Sequence, residues 1–518
     1  DHHLLHEIIT PHLWTLDIHE ACQQTHIDEH AIINNITYDT RAVHDGSLLF
    51  CKGAFKAEFL DSLTSDSICA YVAENDYSDH TQAIGFIVED IRKAMSILSQ
   101  AFYNYPAKEL SIVGITGTKG KTTTAYFTHK LLQHSSNNRA ALFSSINNCI
   151  NGVDYVESDL TTPESLDAAR MMRDAVEAGM KYLVMEVSSQ SYKVDRVFGL
   201  HFNVGVFLNI SPDHISPIEH PTFEDYFYCK RQLINNCDTF VVNKNCKHVN
   251  VIRQQAQLAQ VPTVSFALAE QNTENTIVQN TLSKNTLYAK ANDAQHHEFV
   301  IFDTKQNYGS LTLQHTPGDF NYENALAALQ AVQCLGIAIT PESLQSLRDV
   351  HVPGRMEIFT SRELNTIAIV DYAHNFASVS SLLDFVYQQY DAQNANITLV
   401  TGSAGDKAID RREEIVQAAQ NRIHSFMLTQ EDSNHESTDA ICVQMQQAIT
   451  NPHVKSQIIH DRKVAIETVL QQNTQPSDTL HIVLIIGKGE ERWIKEHGKH
   501  VPYEGDDQVV QRIFNSVQ

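Results

Sequence analysis

The chain has 518 residues, 42% of them hydrophobic, and 38 basic against 62 acidic side chains give a formal charge of −24. That length predicts several domains, three being the natural number, and the composition is that of a soluble globular protein able to fill more than one core. So acidic a balance argues against a nucleic-acid surface, which needs a basic patch, and is read as a solubility feature.

The nine cysteines are scattered, odd in number and never spaced C-x-x-C. This predicts a reducing, cytoplasmic setting with neither a disulfide framework nor a structural zinc site. The first residues, Asp1-His2-His3-Leu4, lack the basic and apolar segments of a signal peptide. No apolar run is long enough to span a bilayer.

The opening segment to about Pro106 reads as a small α/β domain. Helical patterning at His6–Leu16 leads to Ile36-Thr37-Tyr38-Asp39-Thr40-Arg41. Strands are predicted at Ser47–Cys51, Ala70–Ala73 and Gly85–Val88, followed by a helix over Ile91–Tyr103. Asn104-Tyr105-Pro106 ends that helix, because proline neither continues it nor leaves its predecessor free.

Next comes Ile112-Val113-Gly114-Ile115, a buried parallel strand by pattern. Thr116-Gly117-Thr118-Lys119-Gly120-Lys121-Thr122-Thr123 follows, then a helix to His134 with Ala125, Phe127, Leu131 and Leu132 on its apolar side. Gly117 and Gly120 let successive backbone N–H groups approach an anion, and the helix adds its positive end. Lys121 would reach the β- and γ-phosphates, and the Thr122 hydroxyl a magnesium ion. The loop departs from the usual eight-residue form, since Ile115 stands where the first glycine falls. An ordinary turn with a surface lysine is the competing reading. The ordered set of strand, glycines, Lys-Thr and helix favours the phosphate loop.

Further strands are predicted at Ala140–Phe143, Tyr182–Val187, Val204–Leu208 and Thr239–Val242, with helices such as Ser165–Ala178 between them. This alternation gives a mainly parallel sheet, with ligands at its carboxyl edge. From Val261 to about Pro317 short strands and Asn-rich turns predict an antiparallel appendage, and Tyr322–Leu335 returns to helix. A third region opens near Val352-Pro353-Gly354-Arg355. Its strands at Ile367–Val370, Ile397–Val400, Ser425–Leu428 and Ile482–Ile486 predict a Rossmann-like domain without a dinucleotide glycine motif.

Polar groups follow several strand ends. Glu186, before Val187-Ser188-Ser189-Gln190, can offer oxygen to Mg²⁺. His214, in Asn209-Ile210-Ser211-Pro212-Asp213-His214, reads equally as a structural histidine. Lys230, on a helical stretch, reads on its own as a solvated lysine.

Taken together, Thr116–Thr122, Thr161-Thr162-Pro163, Glu186–Ser189, Asn209–His214, Lys230, Asn321–Asn324, Gly354-Arg355 and Asp371-Tyr372-Ala373-His374 resemble the Mur ligases, in matching order along essentially the whole chain. The resemblance is greatest to members that add the third amino acid. It implies an α/β protein of three domains. Residues 1–107 would bind a UDP-sugar, 108–352 would bind ATP and carry the chemistry, and 353–518 would bind the amino acid. The implied reaction phosphorylates the D-glutamyl carboxylate of UDP-N-acetylmuramoyl-L-alanyl-D-glutamate with ATP. A diamino acid then attacks the acyl phosphate. A carboxylate acylates poorly and its phosphate well, so the protein's tasks are positioning and charge neutralisation. A monomer with no nucleic-acid partner is implied.

The resemblance also assigns roles. Gly117 through Thr123 hold the phosphates, with Lys121 on the γ-phosphoryl group. Thr122 and Glu186 share one Mg²⁺, and His214 contacts a second. Lys230 matches the family's carbamylated lysine, in which carbon dioxide turns the amine into an oxygen ligand. Asn321 and Asn324 approach the adenine. Arg355 and Asp371 complete the nucleotide site, with His374 nearby. Thr40 matches a uridine contact, while Thr161, Thr162, Ser188 and Arg196 hold the muramoyl dipeptide.

The amino-acid selector falls on Thr429-Gln430-Glu431-Asp432-Ser433-Asn434. Relatives that use meso-diaminopimelate carry an arginine there, suited to a second carboxylate; this run has none. An acidic pocket of Glu431, Asp432 and Glu491, with Asn434, suits the single ammonium of L-lysine, and Lys407 would meet the α-carboxylate. Glu431 stands for the usual aspartate and Ser433 for the usual proline, which leaves L-ornithine or another basic amino acid open. A folylpolyglutamate synthase-like ligase shares the phosphate loop and the modified lysine. The first domain and Thr161-Thr162-Pro163 speak against it. A nucleotide-dependent switch without catalysis is disfavoured by intact Lys121, Glu186, His214 and Lys230.

Overall fold

The computed structural model describes residues 33–63, 67–216, 219–269, 284–406, 409–472 and 479–517. The predicted helix at His6–Leu16, together with Cys22 and Lys407, lies outside the described residues.

The first body is a parallel sheet of β1 (Asn35–Thr37), β2 (Ser47–Phe50), β3 (Ile68–Ala73) and β4 (Ile84–Ile87), in that order, covered by α1 (Ile91–Phe102). Alternating inward residues Leu48, Phe50, Ala70, Val72 and Phe86 pack on Ala94, Met95 and Leu98 of α1. Asn104 and Tyr105 take left-handed backbone and end the helix ahead of Pro106.

The central body contains β5 (Ser111–Thr116), α2 (Lys121–Ser136), β6 (Ala140–Phe143), β7 (Asn147–Cys149), β8 (Tyr155–Glu157), α3 (Ser165–Glu177) and β9 (Tyr182–Glu186). It continues with α4 (Ser189–Lys193), β10 (Phe202–Phe207), α5 (Phe223–Arg231), β11 (Cys237–Asn243), α6 (Val249–Leu258) and β12 (Thr263–Leu268). β13 (Thr286–Ala291), β14 (Glu298–Phe302), β15 (Asn307–Thr312), α7 (Asp319–Cys334) and α8 (Pro341–Arg348) complete it. All its strands form one sheet, ordered β15-β14-β13-β12-β11-β10-β5-β9-β6-β7-β8. The run from β13 to β6 is parallel, as hydrophobic strands separated by helices require. Its two faces bury separate apolar clusters, one around Phe127, Leu131 and Tyr322 and the other around Phe143, Phe202 and Phe240.

The stretch after Val261 departs from the antiparallel appendage expected of it. β12 and β13 extend the parallel sheet, and only β14 and β15 run antiparallel. Strand direction depends on where a strand docks, which short alternating runs do not encode.

The third body is β16 (Glu357–Ser361), β17 (Thr366–Asp371), α9 (Phe376–Gln389), β18 (Asn396–Thr401), α10 (Asp410–Ala419), β19 (Ser425–Leu428), α11 (Thr438–Gln447), β20 (Lys455–Ile458), α12 (Arg462–Gln471) and β21 (His481–Ile486). A hairpin of β22 (Trp493–Glu496) and β23 (Lys499–Pro502) follows, then α13 (Asp506–Ser516). Its main sheet, β16-β17-β21-β18-β19-β20, is parallel except for β16.

Polar contacts tie the bodies together. Tyr38 Oη donates to Asp167 at 2.5 Å and Lys52 pairs with Glu164 at 3.0 Å, while Leu166 enters the first body's core. Between the central and third bodies, Asp213 accepts from Arg411 and from Asn375. Among the described residues no helix is long and apolar enough to cross a membrane.

Candidate active site

β5 lies between β9 and β10, so the loops leaving these three strands converge at one edge of the sheet. The phosphate loop leaves β5. Gly120 has φ +78°, and a Cβ there would lie 2.3 Å from Asn324 Oδ1, so α7 packs onto the loop as closely as glycine allows. This brings Asn321 and Asn324 to the loop. Asn324 Nδ2 donates to Asn321 Oδ1 at 3.1 Å, and Asn321 Nδ2 to the Pro317 carbonyl at 3.0 Å.

Not every loop N–H faces outward. Thr118 N–H donates to the Asn209 carbonyl at 3.1 Å and Lys119 N–H to Asn209 Oδ1 at 2.9 Å. Asn209, at the end of β10, therefore splints this half of the loop. The N–H groups of Lys121, Thr122 and Thr123 open α2, where a helix has no acceptor of its own for them. These N–H groups are donors available to an anion.

Lys121 Nζ and Lys230 Nζ both donate to the Gly117 carbonyl, each at 2.9 Å. α5 delivers Lys230, which is 2% exposed and lies over the Tyr226 ring at 4.8 Å. Burial, then the neighbouring Lys121, draws the Lys230 ammonium well below its ordinary range, so the neutral amine is favoured. Burial lowers Lys121 as well, and brings Lys119 to about 8.

Glu186 ends β9, fully buried. Its Oε1 accepts from the Ser145 N–H and hydroxyl, both at 2.9 Å, and Thr122 Oγ1 meets Ser145 Oγ at 3.1 Å. Glu186 Oε2 is buried without a partner. An oxygen so placed beside a threonine hydroxyl and the phosphate loop fits Mg²⁺. Ser145 was not among the expected site residues. Its signal was position, just past the end of β6 at the same sheet edge.

His214 sits in left-handed backbone (φ 56°), with Nδ1 3.0 Å from Glu219 and its ring stacked on Tyr226. The Tyr226 hydroxyl donates to Thr118 Oγ1 at 3.1 Å, which links this histidine to the phosphate loop.

The expected dipeptide contacts divide in two. Thr162 is fully buried. Its hydroxyl donates to the Glu186 carbonyl at 2.9 Å and accepts from Ser188 N–H at 3.0 Å, so it shapes the site from within. Thr161 and Ser188 are half-buried, and Ser188 Oγ caps α4 by accepting from Ser191 N–H. Arg196 Nε donates to Glu164 Oε1 at 3.0 Å, while Lys52 of the first body holds the other oxygen. Thr40 stays on the first body, in the turn capped by Asp39.

From the third body, Asp371 accepts from Met356 N–H and Ala373 N–H, and burial raises its carboxyl. Arg355 lies over the Tyr372 ring at 4.5 Å. Burial, then Arg411, lowers His374 to about 3, so it is neutral. Burial would raise Asp213, yet the Arg411 guanidinium, through its charge and its hydrogen bond, holds it far below the usual carboxylate range.

The expected acidic pocket already contains a cation. Lys488, fully buried, donates to Asp432 at 2.7 Å, pairs with Glu491 and lies 4.1 Å from the Trp493 ring centre. Tyr372 donates to Glu491 at 3.0 Å, tying the pocket to the segment just past β17. Glu431 points away from this pair toward Gly487, with Oε2 buried and unpartnered, and burial raises it to about 7. Asn434 bonds Asp406 and accepts from Gly498 N–H, fastening the β22–β23 hairpin.

Two family signatures match the chain: the Mur ligase middle domain over residues 115–332 and the Mur ligase glutamate ligase domain over residues 354–489. It is 52% identical to the UDP-N-acetylmuramyl-tripeptide synthetase of Bifidobacterium longum (strain NCC 2705), spanning 99% of this chain and 97% of that protein. Identity is 38% to the UDP-N-acetylmuramoyl-L-alanyl-D-glutamate–L-lysine ligase of Enterococcus faecalis (strain ATCC 700802 / V583), over 99% and 96%. A solved UDP-N-acetylmuramoyl-L-alanyl-D-glutamate–2,6-diaminopimelate ligase shares the fold with TM-score 0.60 at 23% identity, over 95% of this chain and 98% of that one. A Mycobacterium tuberculosis folylpolyglutamate synthase shares it with TM-score 0.60 at 15% identity, over 82% and 95%. From the two signatures and the full-length relatives together, the chain belongs to the Mur ligase family.

Proposed function

We propose that this protein is an ATP-dependent ligase that adds L-lysine to UDP-N-acetylmuramoyl-L-alanyl-D-glutamate, a step in making peptidoglycan precursor. The observation that carries the reading is the meeting of Lys121 and Lys230 on the Gly117 carbonyl. It joins a phosphate-loop lysine to a second, buried amine whose charged form burial and the neighbouring Lys121 disfavour.

Lys121 and the first-turn N–H groups of α2 neutralise the phosphoryl group as it moves to the D-glutamyl carboxylate. Thr122 and Glu186 would hold a magnesium ion that would add charge neutralisation there, and His214 would hold a second. The neutral Lys230 amine is the form that reacts with carbon dioxide, and its carbamate offers oxygen in place of a cation. Asn321, Asn324, Arg355 and Asp371 hold the nucleotide. Thr161, Ser188 and Arg196 hold the acceptor, with Thr162 behind them, and Thr40 the uridine end.

Residues 1–107 serve the UDP-sugar, 108–352 the ATP chemistry and 353–518 the amino acid. Asp432 and Glu491 are two carboxylates against the single ammonium of Lys488, so the pocket can take one more ammonium. The enzyme works as a cytoplasmic monomer, which sedimentation of the native protein tests. For amino-acid choice the test is tripeptide formation with L-lysine, L-ornithine, D-lysine and meso-diaminopimelate offered separately. L-lysine should lead; preference for meso-diaminopimelate would overturn the assignment.

A further inference from the structure

His220 is 1% exposed, and both its ring nitrogens are bonded. Nδ1 lies 2.6 Å from Asp225 Oδ2 and Nε2 lies 3.0 Å from Ser189 Oγ. Lys193 Nζ holds both Asp225 oxygens, at 2.8 and 2.9 Å, which keeps that carboxylate ionised. Nδ1 therefore carries the imidazole proton, and Nε2 accepts from the Ser189 hydroxyl. Cys229 stands within 4.8 Å of this pair, but the Lys193 ammonium already occupies the charge that a metal would need.

The imidazole joins three segments that the proposed chemistry needs in register. Ser189 is the first residue of α4, beside Ser188. Asp225 belongs to α5, which carries Lys230 one turn further on. The backbone N–H of His220 donates to the His214 carbonyl at 3.3 Å, and its ring meets Tyr226 edge-on at 5.3 Å. α4 is five residues long, too short to hold its own position. Thr162 holds the Ser188 N–H, and the Ser189–His220 bond gives the turn its second tie, to α5. Without it the turn can drift, and small displacements of a positioning group are costly in rate.

We propose that Ser189, His220 and Asp225 form a positioning relay that locks the acceptor-holding Ser188 turn to the helix bearing Lys230. The relay rests on the reading of Ser188 and Lys230 given above. It touches no reacting atom. Its effect falls on binding of the muramoyl dipeptide rather than of ATP.

The test is steady-state kinetics of Ser189→Ala, His220→Asn, His220→Ala and the double variant Ser189→Ala/His220→Ala. Ser189→Ala removes only the last link, worth about one hydrogen bond. It should raise the acceptor KM roughly three- to tenfold while the ATP KM stays within about twofold. His220→Asn keeps a donor to Asp225 and should match Ser189→Ala. The double variant should be no worse than His220→Ala, because the two groups act in series. Equal rises in both KM values, additive losses, or an unchanged acceptor KM in Ser189→Ala would overturn the relay. Should His220→Ala fail to fold, Ser189→Ala and His220→Asn still decide. Wild-type protein that makes no tripeptide would defeat the function itself; wild-type turnover with an unaffected Ser189→Ala defeats the relay alone.

Discussion

Asp213 of the central body and Arg411 of the third meet in a buried ion pair at 2.6 Å, although 198 residues separate them in the chain. Asn375 completes the contact by donating to the other Asp213 oxygen at 3.0 Å. The pair sits beside His214 and His374, so it holds the third body against the central one near the phosphate loop. Breaking one side of a buried pair leaves the other charge stranded, at a cost of about 3–5 kcal/mol.

Arg411→Met should therefore loosen closure. Small-angle scattering with a non-hydrolysable ATP analogue should give a larger radius of gyration than wild type. Adding Asp213→Asn should recover part of the compaction, because the stranded carboxylate is gone. A radius unchanged in Arg411→Met would mean that the pair does not hold the bodies together.

Lys230→Ala should lose activity by at least about 100-fold, the scale of a lost electrostatic stabiliser. A short carboxylic acid such as formate should restore part of it by replacing the carbamate oxygens. Normal turnover in the variant would remove the carbamate from the mechanism.

Glu431 makes a prediction about pH and stability. Its carboxyl rises from an ordinary 4.5 to about 7 through burial, with Asp432 adding to the effect. The folded state therefore binds its proton more tightly than the unfolded chain. The stability that this proton confers is full below pH 4.5 and is lost as pH rises toward 7. The difference is on the order of 3 kcal/mol. Glu431→Gln cannot ionise, so its melting temperature relative to wild type should climb between pH 5 and pH 8. A constant or falling difference would contradict the buried, unpaired carboxyl.

Glu164 links Lys52 of the first body to Arg196, which is proposed to hold the acceptor, at 3.0 Å on each side. Glu164→Gln should raise the acceptor KM about tenfold, the scale of one charge-assisted hydrogen bond, with little effect on ATP. Matched increases for both substrates would show instead a general loosening of the fold.

Local signals made much of this legible in advance. The Gly-Lys-Thr turn, strand-end Glu186 and the proline break after α1 are written in a few adjacent residues, and the structure has them in those places. What stayed hidden depends on residues far apart in the chain. Ser145 gains meaning only because β6 ends beside β9. Arg411 gains it only when the third body docks, and Lys488 reads as one more surface lysine until it is seen between Asp432 and Glu491. The direction of β12 and β13 is hidden for the same reason, since it is decided by the neighbour each strand joins. Glu431 and Asp432 are adjacent in sequence, yet one faces Gly487 and the other Lys488.

The most direct test is to follow ADP and tripeptide together while ATP, Mg²⁺, the muramoyl dipeptide and L-lysine are supplied to the purified protein. The structure predicts one ADP for each new amide bond, with both products lost when the dipeptide is withheld. ADP release that ignores the dipeptide, or no ADP at all, would contradict a ligase that activates that carboxylate.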